Sequence, residues 1–281
     1  MSRRRTIASE VAIAGTALHA GGTVNMTLSP APAEHGIVFR RTGKDAGMVR
    51  ARYDNVGETR LGTVIADGGT SIGVIQHLMA AVAGAEIDDL LITLDGPEPP
   101  ILDGDALSYL TLIESAGVHE LAAPRHPIKV LKRVEVRQGE AVASLSPADS
   151  ASYDFEIDFP TAAIGRQAYC FAFSGVAFRQ EIAPARTFGF MKELETLNRM
   201  NLARGASLEN TLAIDGDGVV NAALMRFPDE FVRHKILDAI GDMALAGGPL
   251  IARFEGSKSG HATNNALLRA LFAEPGNYAV L

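Results

Sequence analysis

The sequence predicts an α+β protein made of two similar halves. In each half, segments in which apolar and polar residues alternate come first, and segments with helical spacing lie among or after them. This order is typical of a sheet that is covered on one face by helices. With 281 residues, 47% of them hydrophobic, the chain is long enough for two modest cores. We therefore expect an N-terminal α+β domain at 1–124 and a C-terminal α+β domain at 125–281.

The first half contains three strand-like segments and two segments with helical spacing. Turn-forming prolines separate the first two strands, and a further proline-containing segment at 121–127 is predicted as the linker between the domains. Strands are predicted at 24–28, 36–40 and 90–94, with a turn at 30–33, and helices at 75–85 and 106–116.

The second half repeats this order of elements without a close repeat of the sequence. Strands are predicted at 128–136, 141–145, 152–159, 169–173 and 250–255, and helices at 192–200, 229–246 and 264–272. The shared order is the reason for expecting two domains of similar architecture.

Composition excludes several classes of protein. The chain has 26 basic and 33 acidic residues, a net charge of −7, which argues against a nucleic-acid-binding surface. Its one cysteine, Cys170, excludes an internal disulfide framework and fits a reducing cytoplasm. We expect Cys170 to be a small buried residue in a strand. The basic start of the chain is not followed by an apolar segment, and no apolar run is long enough to span a bilayer. We expect a monomeric cytoplasmic protein.

The segment 233–242 carries the most informative pattern. His234, Asp238 and Asp242 recur every four residues, so a helix places them on one face. The other face is apolar and is predicted to pack on a core; it carries Val232, Ile236, Ile240 and Met243. Imidazole and carboxylate groups so arranged can hold a divalent metal such as zinc or iron. Taken alone, this spacing is more often a solvated polar face.

Three further segments supply residue types that this helix lacks. His77 lies at the start of the helix predicted at 75–85, where a lone histidine is more often a capping or core residue. His261 lies in a polar loop at 257–265, and loops held by a rigid scaffold often carry function. Thr187 lies between an arginine and a phenylalanine at 185–190, a pattern that also fits the end of a strand.

Together these segments resemble the zinc-dependent UDP-3-O-acyl-N-acetylglucosamine deacetylases of lipid A synthesis. The resemblance covers nearly the whole chain and is carried by TALHAG at 16–21, PPILDG at 99–104, ARTFGF at 185–190, DEFVRHKILD at 229–238 and KSGH at 258–261. It implies a layered two-domain α+β sandwich with the active site between the domains. It also implies a small-molecule substrate, a UDP-linked acylated glucosamine that loses its N-acetyl group, and no stable membrane anchor.

The resemblance implies roles for individual residues. His77, His234 and Asp238 match the ligands of a zinc ion, and the same ligands also accept iron(II). His261 matches the general acid, Asp242 the carboxylate that steadies it, and Thr187 the hydroxyl that stabilises the oxyanion. Contacts to the substrate are matched by Phe188, Lys235 and Glu193. Apolar residues of 190–214 would line a passage for the acyl chain.

Three positions depart from the family pattern. Gln76 stands where the family has the glutamate that acts as general base, and an amide cannot take up a proton near neutral pH. Ala141 replaces an expected lysine, and the loop Arg60-Leu61-Gly62 differs at its first and last positions. Three hypotheses follow: a deacetylase weakened or altered at Gln76, a non-catalytic or regulatory paralogue that binds zinc and a lipid or sugar nucleotide, or a deacetylase for a different N-acyl substrate.

Overall fold

The predicted α+β class is confirmed. The computed structural model describes residues 2–281, and these form 20 strands and six α-helices. The strands are β1 Arg3–Ile7, β2 Val11–Thr16, β3 Thr23–Pro30, β4 Ile37–Arg41, β5 Gly47–Arg50, β6 Ile65–Asp67, β7 Thr70–Ile72, β8 Leu90–Leu94, β9 Val118–Pro124, β10 Ile128–Val130, β11 Val134–Gln138, β12 Ala141–Ser146, β13 Ser152–Asp158, β14 Arg166–Ala172, β15 Phe188–Phe190, β16 Leu212–Asp215, β17 Gly218–Val219, β18 Leu250–Ile251, β19 Arg253–Ser257 and β20 Tyr278–Val280. The helices are α1 Gln76–Gly84, α2 Leu107–Ser115, α3 Gly175–Ala177, α4 Met191–Arg199, α5 Glu230–Met243 and α6 His261–Ala273.

Each half contains a five-stranded sheet, and the two sheets have the same topology. The strand order is β2-β3-β8-β4-β5 in the first half and β11-β12-β19-β13-β14 in the second. Along both sheets the neighbouring strands pair antiparallel, antiparallel, parallel and antiparallel. This repeated topology supports the predicted pair of similar domains, whose boundary at 124/125 stays a prediction.

Apolar side chains line one face of each sheet. In the first sheet Leu28 pairs with Ile92, which also pairs with Phe39, and all three side chains are fully buried. In the second sheet Phe254 pairs with both Leu145 and Tyr153, which are likewise buried. Because side chains alternate between the faces of a strand, these residues mark the faces that the helices cover.

Helices α1 and α5, one from each half, pack against each other at very short range. A side chain at Gly241 of α5 would place its Cβ 2.0 Å from the carbonyl oxygen of Gln76, so only glycine permits this approach. The contact brings the first turn of α1 against the last turns of α5. His77, the second residue of α1, therefore lies beside the polar face of α5.

The predicted helices are confirmed, and four predictions about the remaining segments are wrong. Part of the linker predicted at 121–127 belongs to β9, which pairs antiparallel with β1, because the N-terminal strand offers a partner that local sequence does not reveal. The strands predicted at 128–136 and 250–255 are each interrupted, between β10 and β11 and between β18 and β19. Cys170 is exposed, since it points away from the core on β14.

None of the helices within 2–281 combines the length and the apolar character that crossing a bilayer requires.

Candidate metal centre

Three side chains from two helices meet in a compact buried cluster. His77 of α1 and His234 and Asp238 of α5 each offer one ligand atom, and these atoms lie within 4.8 Å of one another. The Oδ1 atom of Asp238 is 3.6 Å from Nε2 of His77 and 3.5 Å from Nε2 of His234. The four-residue spacing on α5 supplies two members of the cluster, and the close contact of α1 with α5 supplies the third. We call these three residues the metal cluster.

The polar face of α5 is buried. His234, Asp238 and Asp242 have at most 4% of their surface exposed, and Ile236 and Ile240 on the opposite face are buried as well. A solvated polar face is therefore excluded. Burying a histidine and two carboxylates is costly unless hydrogen bonds, ion pairs or a metal ion compensate for the lost hydration.

Hydrogen bonds and nearby charges determine the protonation of two members of the cluster, His234 and Asp238. Nδ1 of His234 lies 3.1 Å from the carbonyl oxygen of Ala185, to which only a protonated Nδ1 can donate. Burial lowers the pKa of His234 to about 3, so the ring is neutral and Nε2 carries a lone pair. Burial alone would raise the pKa of Asp238, but the positive charge of Lys235, the largest opposing effect, brings it well below its usual value. Lys235 Nζ donates to Asp238 Oδ2 over 2.6 Å.

The metal cluster fits a divalent cation. Oδ1 of Asp238 is buried and has no hydrogen-bond partner among residues 2–281, although two imidazole nitrogens face it. Nε2 of the neutral His234 ring and Oδ1 of Asp238 both present lone pairs to the space between them. A metal ion bound there would accept both lone pairs. Two histidines and one carboxylate form a donor set that zinc accepts in catalytic sites. The hydrogen bond from His234 Nδ1 to a backbone carbonyl is the usual support for a histidine ligand.

A second polar group, centred on Asp242, lies one helical turn further along α5. His261 Nδ1 is 2.9 Å from Asp242 Oδ2, which also accepts from the Asn264 side chain at 2.9 Å. The Thr63 hydroxyl donates to Asp242 Oδ1 over 2.5 Å. Burial alone would lower the pKa of His261, but the adjacent Asp242 carboxylate outweighs this effect and raises it. His261 is therefore poised to carry a proton near neutral pH.

Thr63 and Asn264 are site residues that sequence reasoning missed. Thr63 directly follows the loop at 60–62, and Asn264 lies in the polar segment 257–265, so both are close in sequence to positions of the predicted site. Thr63 also connects two parts of the site, because its backbone N–H donates to Gln76 Oε1 at 3.1 Å while its hydroxyl binds Asp242.

Gln76 is buried immediately before the first member of the metal cluster. Only 5% of its surface is exposed, and its Oε1 is engaged by the backbone of Thr63. A Cβ at Gly62 would lie 3.3 Å from Gln76 Nε2, so two of the three departures from the family pattern are in contact. With Oε1 held in this way, the side chain presents an NH₂ group to its surroundings, and this group can only donate hydrogen bonds.

A buried ion pair connects the segment 185–188 to the first turn of α5. Glu230 Oε1 accepts from both the backbone N–H and the Nε of Arg186, each over 3.0 Å, and the Glu230 side chain is fully buried. Because this segment also provides the Ala185 carbonyl that orients His234, the pair positions a member of the metal cluster. Sequence reasoning gave Arg186 and Glu230 no role.

The Arg186–Glu230 pair leads to a prediction about stability. Glu230→Gln leaves the Arg186 guanidinium buried without its counter-charge, so we expect the free energy of unfolding to fall by about 3–5 kcal/mol. Urea unfolding followed by circular dichroism measures the change. Glu195→Gln is the matched control, because it breaks an ion pair with Arg199 in which both side chains are mostly exposed, and it should move the midpoint little. Equal shifts for the two variants would contradict the argument.

The remaining predicted site residues lie at different distances from the metal cluster. The Phe188 ring lies edge-on to the His234 ring, with 6.2 Å between centroids. Thr187 is held by its backbone N–H, which donates to the Gly104 carbonyl at 2.9 Å. Glu193 lies on the exposed helix α4 and makes no hydrogen bond or ion pair with the metal cluster among residues 2–281, so its role stays a prediction. The segment predicted to line the acyl passage consists mainly of α4, β16 and the loop between them.

Known proteins from three organisms are similar to this chain and carry the same name. The family model LpxC, described as UDP-3-O-acyl N-acetylglycosamine deacetylase, matches residues 4–273. A protein of Phenylobacterium zucineum named UDP-3-O-acyl-N-acetylglucosamine deacetylase is 44% identical over 99% of this chain and 96% of its own length. Proteins with the same name from Myxococcus xanthus and Pseudomonas entomophila are 44% and 43% identical, over 99% and 100% of this chain and 89% and 94% of their own lengths.

Proposed function

This chain belongs to the UDP-3-O-acyl-N-acetylglucosamine deacetylase family, and we propose from this premise that it hydrolyses the N-acetyl group of a UDP-linked, 3-O-acylated glucosamine with a divalent metal ion as cofactor. The observation that carries the proposal is the convergence of His77, His234 and Asp238, whose ligand atoms lie within 4.8 Å of one another, beside the His261–Asp242 pair. Zinc is the proposed ion, and iron(II) is the alternative that the same ligands accept.

In the proposed reaction, the chain's own residues orient the groups and move the protons. A bound zinc ion supplies Lewis acidity toward the amide carbonyl and a water molecule. Asp242 engages Nδ1 of His261, so Nε2 is the atom that remains free to give a proton to the departing amine. The Thr187 hydroxyl is proposed to donate a hydrogen bond to the carbonyl oxygen as negative charge develops on it.

Substrate contacts complete the proposal. Phe188 and Lys235 lie beside the metal cluster and are proposed to contact the sugar, with Glu193 as a further contact from α4. The segment 190–214 is proposed to receive the acyl chain. We infer a monomeric cytoplasmic enzyme whose partner is a small molecule rather than a nucleic acid. The single cysteine fits a reducing cytoplasm, and the net charge of −7 argues against a nucleic-acid partner.

The amide at position 76 lowers the rate of hydrolysis that we expect of this enzyme. An amide can hold a water molecule by hydrogen bonds but cannot accept a proton from it, so the reaction lacks a carboxylate base at this position. We propose a deacetylase that turns over slowly, with His261, Asp242 and the metal cluster intact.

Release of acetate tests the proposed function. The protein is loaded with zinc and incubated with UDP-3-O-acyl-N-acetylglucosamine, and free acetate is measured over time. We expect slow release that stops with a metal chelator and resumes when zinc is restored. If substrate binds but neither the native chain nor Gln76→Glu releases acetate, the chain is a binding protein and the proposal is wrong.

Removing the carboxylate behind His261 gives a further prediction. Asp242→Asn should lower kcat by about 10- to 100-fold, because supporting partners of this kind typically contribute that much. The alkaline limb of the pH–kcat profile should move to lower pH, since Asp242 raises the pKa of His261 and its loss lets the imidazole deprotonate earlier. Metal content, measured by elemental analysis, should not change. Asp67→Asn, at an exposed position of β6, is the matched control. An unshifted pH limb would contradict this role.

A further inference from the structure

A cavity lies on the far side of helices α1 and α5 from the metal cluster. It has a volume of about 430 Å³, within the range of sites for small organic ligands. Met79 and Ile240 line it, and each follows a member of the metal cluster by two positions, His77 on α1 and Asp238 on α5. Two positions correspond to about 200° around a helix, so the cavity and the metal cluster occupy opposite faces of the same pair of helices.

The floor of this cavity is apolar and comes from both halves of the chain. Met79 and Val82 of α1 contribute from the first half, and Ile240 and Met243 of α5 contribute from the second. All four side chains are almost completely shielded by protein, so the floor is a formed surface between packed helices. Around this floor, the lining side chains of Ile37, Ala83, Leu250 and Ile251 remain partly exposed. An alkyl chain that lay against them would remove their apolar surface from water, which is favourable in proportion to the area covered.

Ion pairs within the protein occupy two of the four arginines at the rim. Arg4 donates to both carboxylate oxygens of Asp89, each over 2.7 Å. Arg125 donates through Nε to both oxygens of Asp88, at 2.8 and 2.9 Å. These guanidinium groups neutralise acids of the protein itself, so they offer little to a ligand.

The other two rim arginines keep most of their donors free. Within residues 2–281, the side chain of Arg50 makes one hydrogen bond, to the His35 carbonyl, and that of Arg52 makes one, a 3.3 Å contact with the exposed Asp54. A guanidinium has five N–H donors in a fork that suits carboxylate and phosphate groups. The Arg52 side chain reaches Gly247 in the second half of the chain. A Cβ at position 247 would lie only 2.9 Å from Nη1 of Arg52, so the glycine leaves room for the guanidinium group.

We propose that this cavity is a second ligand site, which binds a single-chain amphiphile with an anionic head. The alkyl chain lies on the apolar floor, and a carboxylate or phosphate head accepts hydrogen bonds from Arg50 and Arg52. Of the rim acids, Asp88 is bound by Arg125, and Glu86 pairs with Arg5 over 2.7 Å. Glu34 is an exposed acid near Arg4, so a ligand with a cationic head is the direct competitor to exclude. The site is distinct from the 190–214 segment proposed for the acyl chain of the substrate.

Methionine methyl groups report where such a ligand binds. Met79 and Met243 line the cavity, whereas Met191 and Met200 are exposed at the ends of α4 and report on the proposed acyl passage. The full-length protein is labelled with ¹³C at the methionine methyls and titrated separately with decanoate, decyl phosphate and decylamine. We expect saturable shifts at Met79 and Met243 with at least one of the two anions, and none with decylamine. Which anion binds more tightly identifies the head group.

Substitutions test the role of the arginines. Arg50→Gln combined with Arg52→Gln should raise the Kd of the anion at least about tenfold, while Arg137→Gln combined with Arg179→Gln, two exposed arginines elsewhere, should leave it unchanged. Ala83→Leu, which fills the cavity from α1, should abolish the shifts even if the arginine variant does not fold. The proposal is overturned by equal binding of decylamine, by shifts confined to Met191 and Met200, or by an unaltered Kd in the double variant.

Discussion

Gln76→Glu is expected to raise kcat for acetate release by about 10²–10⁴-fold, the contribution of a well-placed general base. The two side chains have nearly the same shape, and the introduced carboxylate would keep the hydrogen bond that Oε1 of Gln76 accepts from the Thr63 backbone at 3.1 Å. Its other oxygen would replace the NH₂ group and could accept a proton. The position is buried and directly precedes His77 on α1, and the exchange of an amide for a carboxylate of the same shape needs no rearrangement of the backbone.

Steady-state kinetics of acetate release distinguish this effect from a change in binding. A base acts only as the reaction proceeds, so kcat should rise while KM changes little. Gln138→Glu is the matched control, since Gln138 also accepts a hydrogen bond through its side chain, from the Thr263 hydroxyl at 2.9 Å, but lies outside the metal cluster. An unchanged kcat in Gln76→Glu, with substrate still bound, would show that another group, such as His261, already acts as the base.

His234→Ala is expected to release the metal ion and to lower kcat/KM by at least about 10³-fold. Metal-ion catalysis contributes several kcal/mol to the barrier, and each 1.36 kcal/mol corresponds to a factor of ten. His234 is the proposed ligand whose geometry is most firmly fixed, because its Nδ1 is held by the Ala185 carbonyl while Nε2 lies 3.5 Å from Asp238. Alanine leaves only His77 and Asp238, too few ligands for a zinc site of this kind.

Elemental analysis and activity should change together in this variant. We expect the purified His234→Ala protein to contain far less metal than the native chain after the same zinc loading and desalting. His119→Ala, which removes an exposed histidine of β9, should retain both metal and activity. Retention of a full complement of metal by His234→Ala would place the ion elsewhere and refute the ligand set.

Local spacing predicted α5 and the proximity of His234 to Asp238, but taken alone it favoured a solvated polar face over a metal site. His234 and Asp238 are four residues apart on one helix, so their proximity follows from helical geometry. His77 and His261 could not be joined to them in this way, because the packing of α1 and α6 against α5 decides their positions. Only the resemblance to a known family connected the four residues before the structure did.

Local sequence patterns could not predict the contacts between distant parts of the chain. The bond from Thr63 to Asp242 spans 179 positions, and that from Arg186 to Glu230 spans 44. The linker predicted at 121–127 was partly wrong for the same reason, since β9 forms only because β1 lies beside it. Strand pairing, buried ion pairs and side-chain hydrogen bonds all depend on partners that tertiary structure brings together.

The close packing of Gly241 against the carbonyl of Gln76 limits how the two halves of the molecule can move relative to each other. A rigid-body rotation of one half of the molecule against the other would pull His77 away from Asp238 and dismantle the ligand set. The scaffold therefore has to remain docked through every catalytic cycle. Any movement that admits substrate and releases product must come from the surrounding surface segments, such as the exposed helix α4, and not from a hinge between the halves.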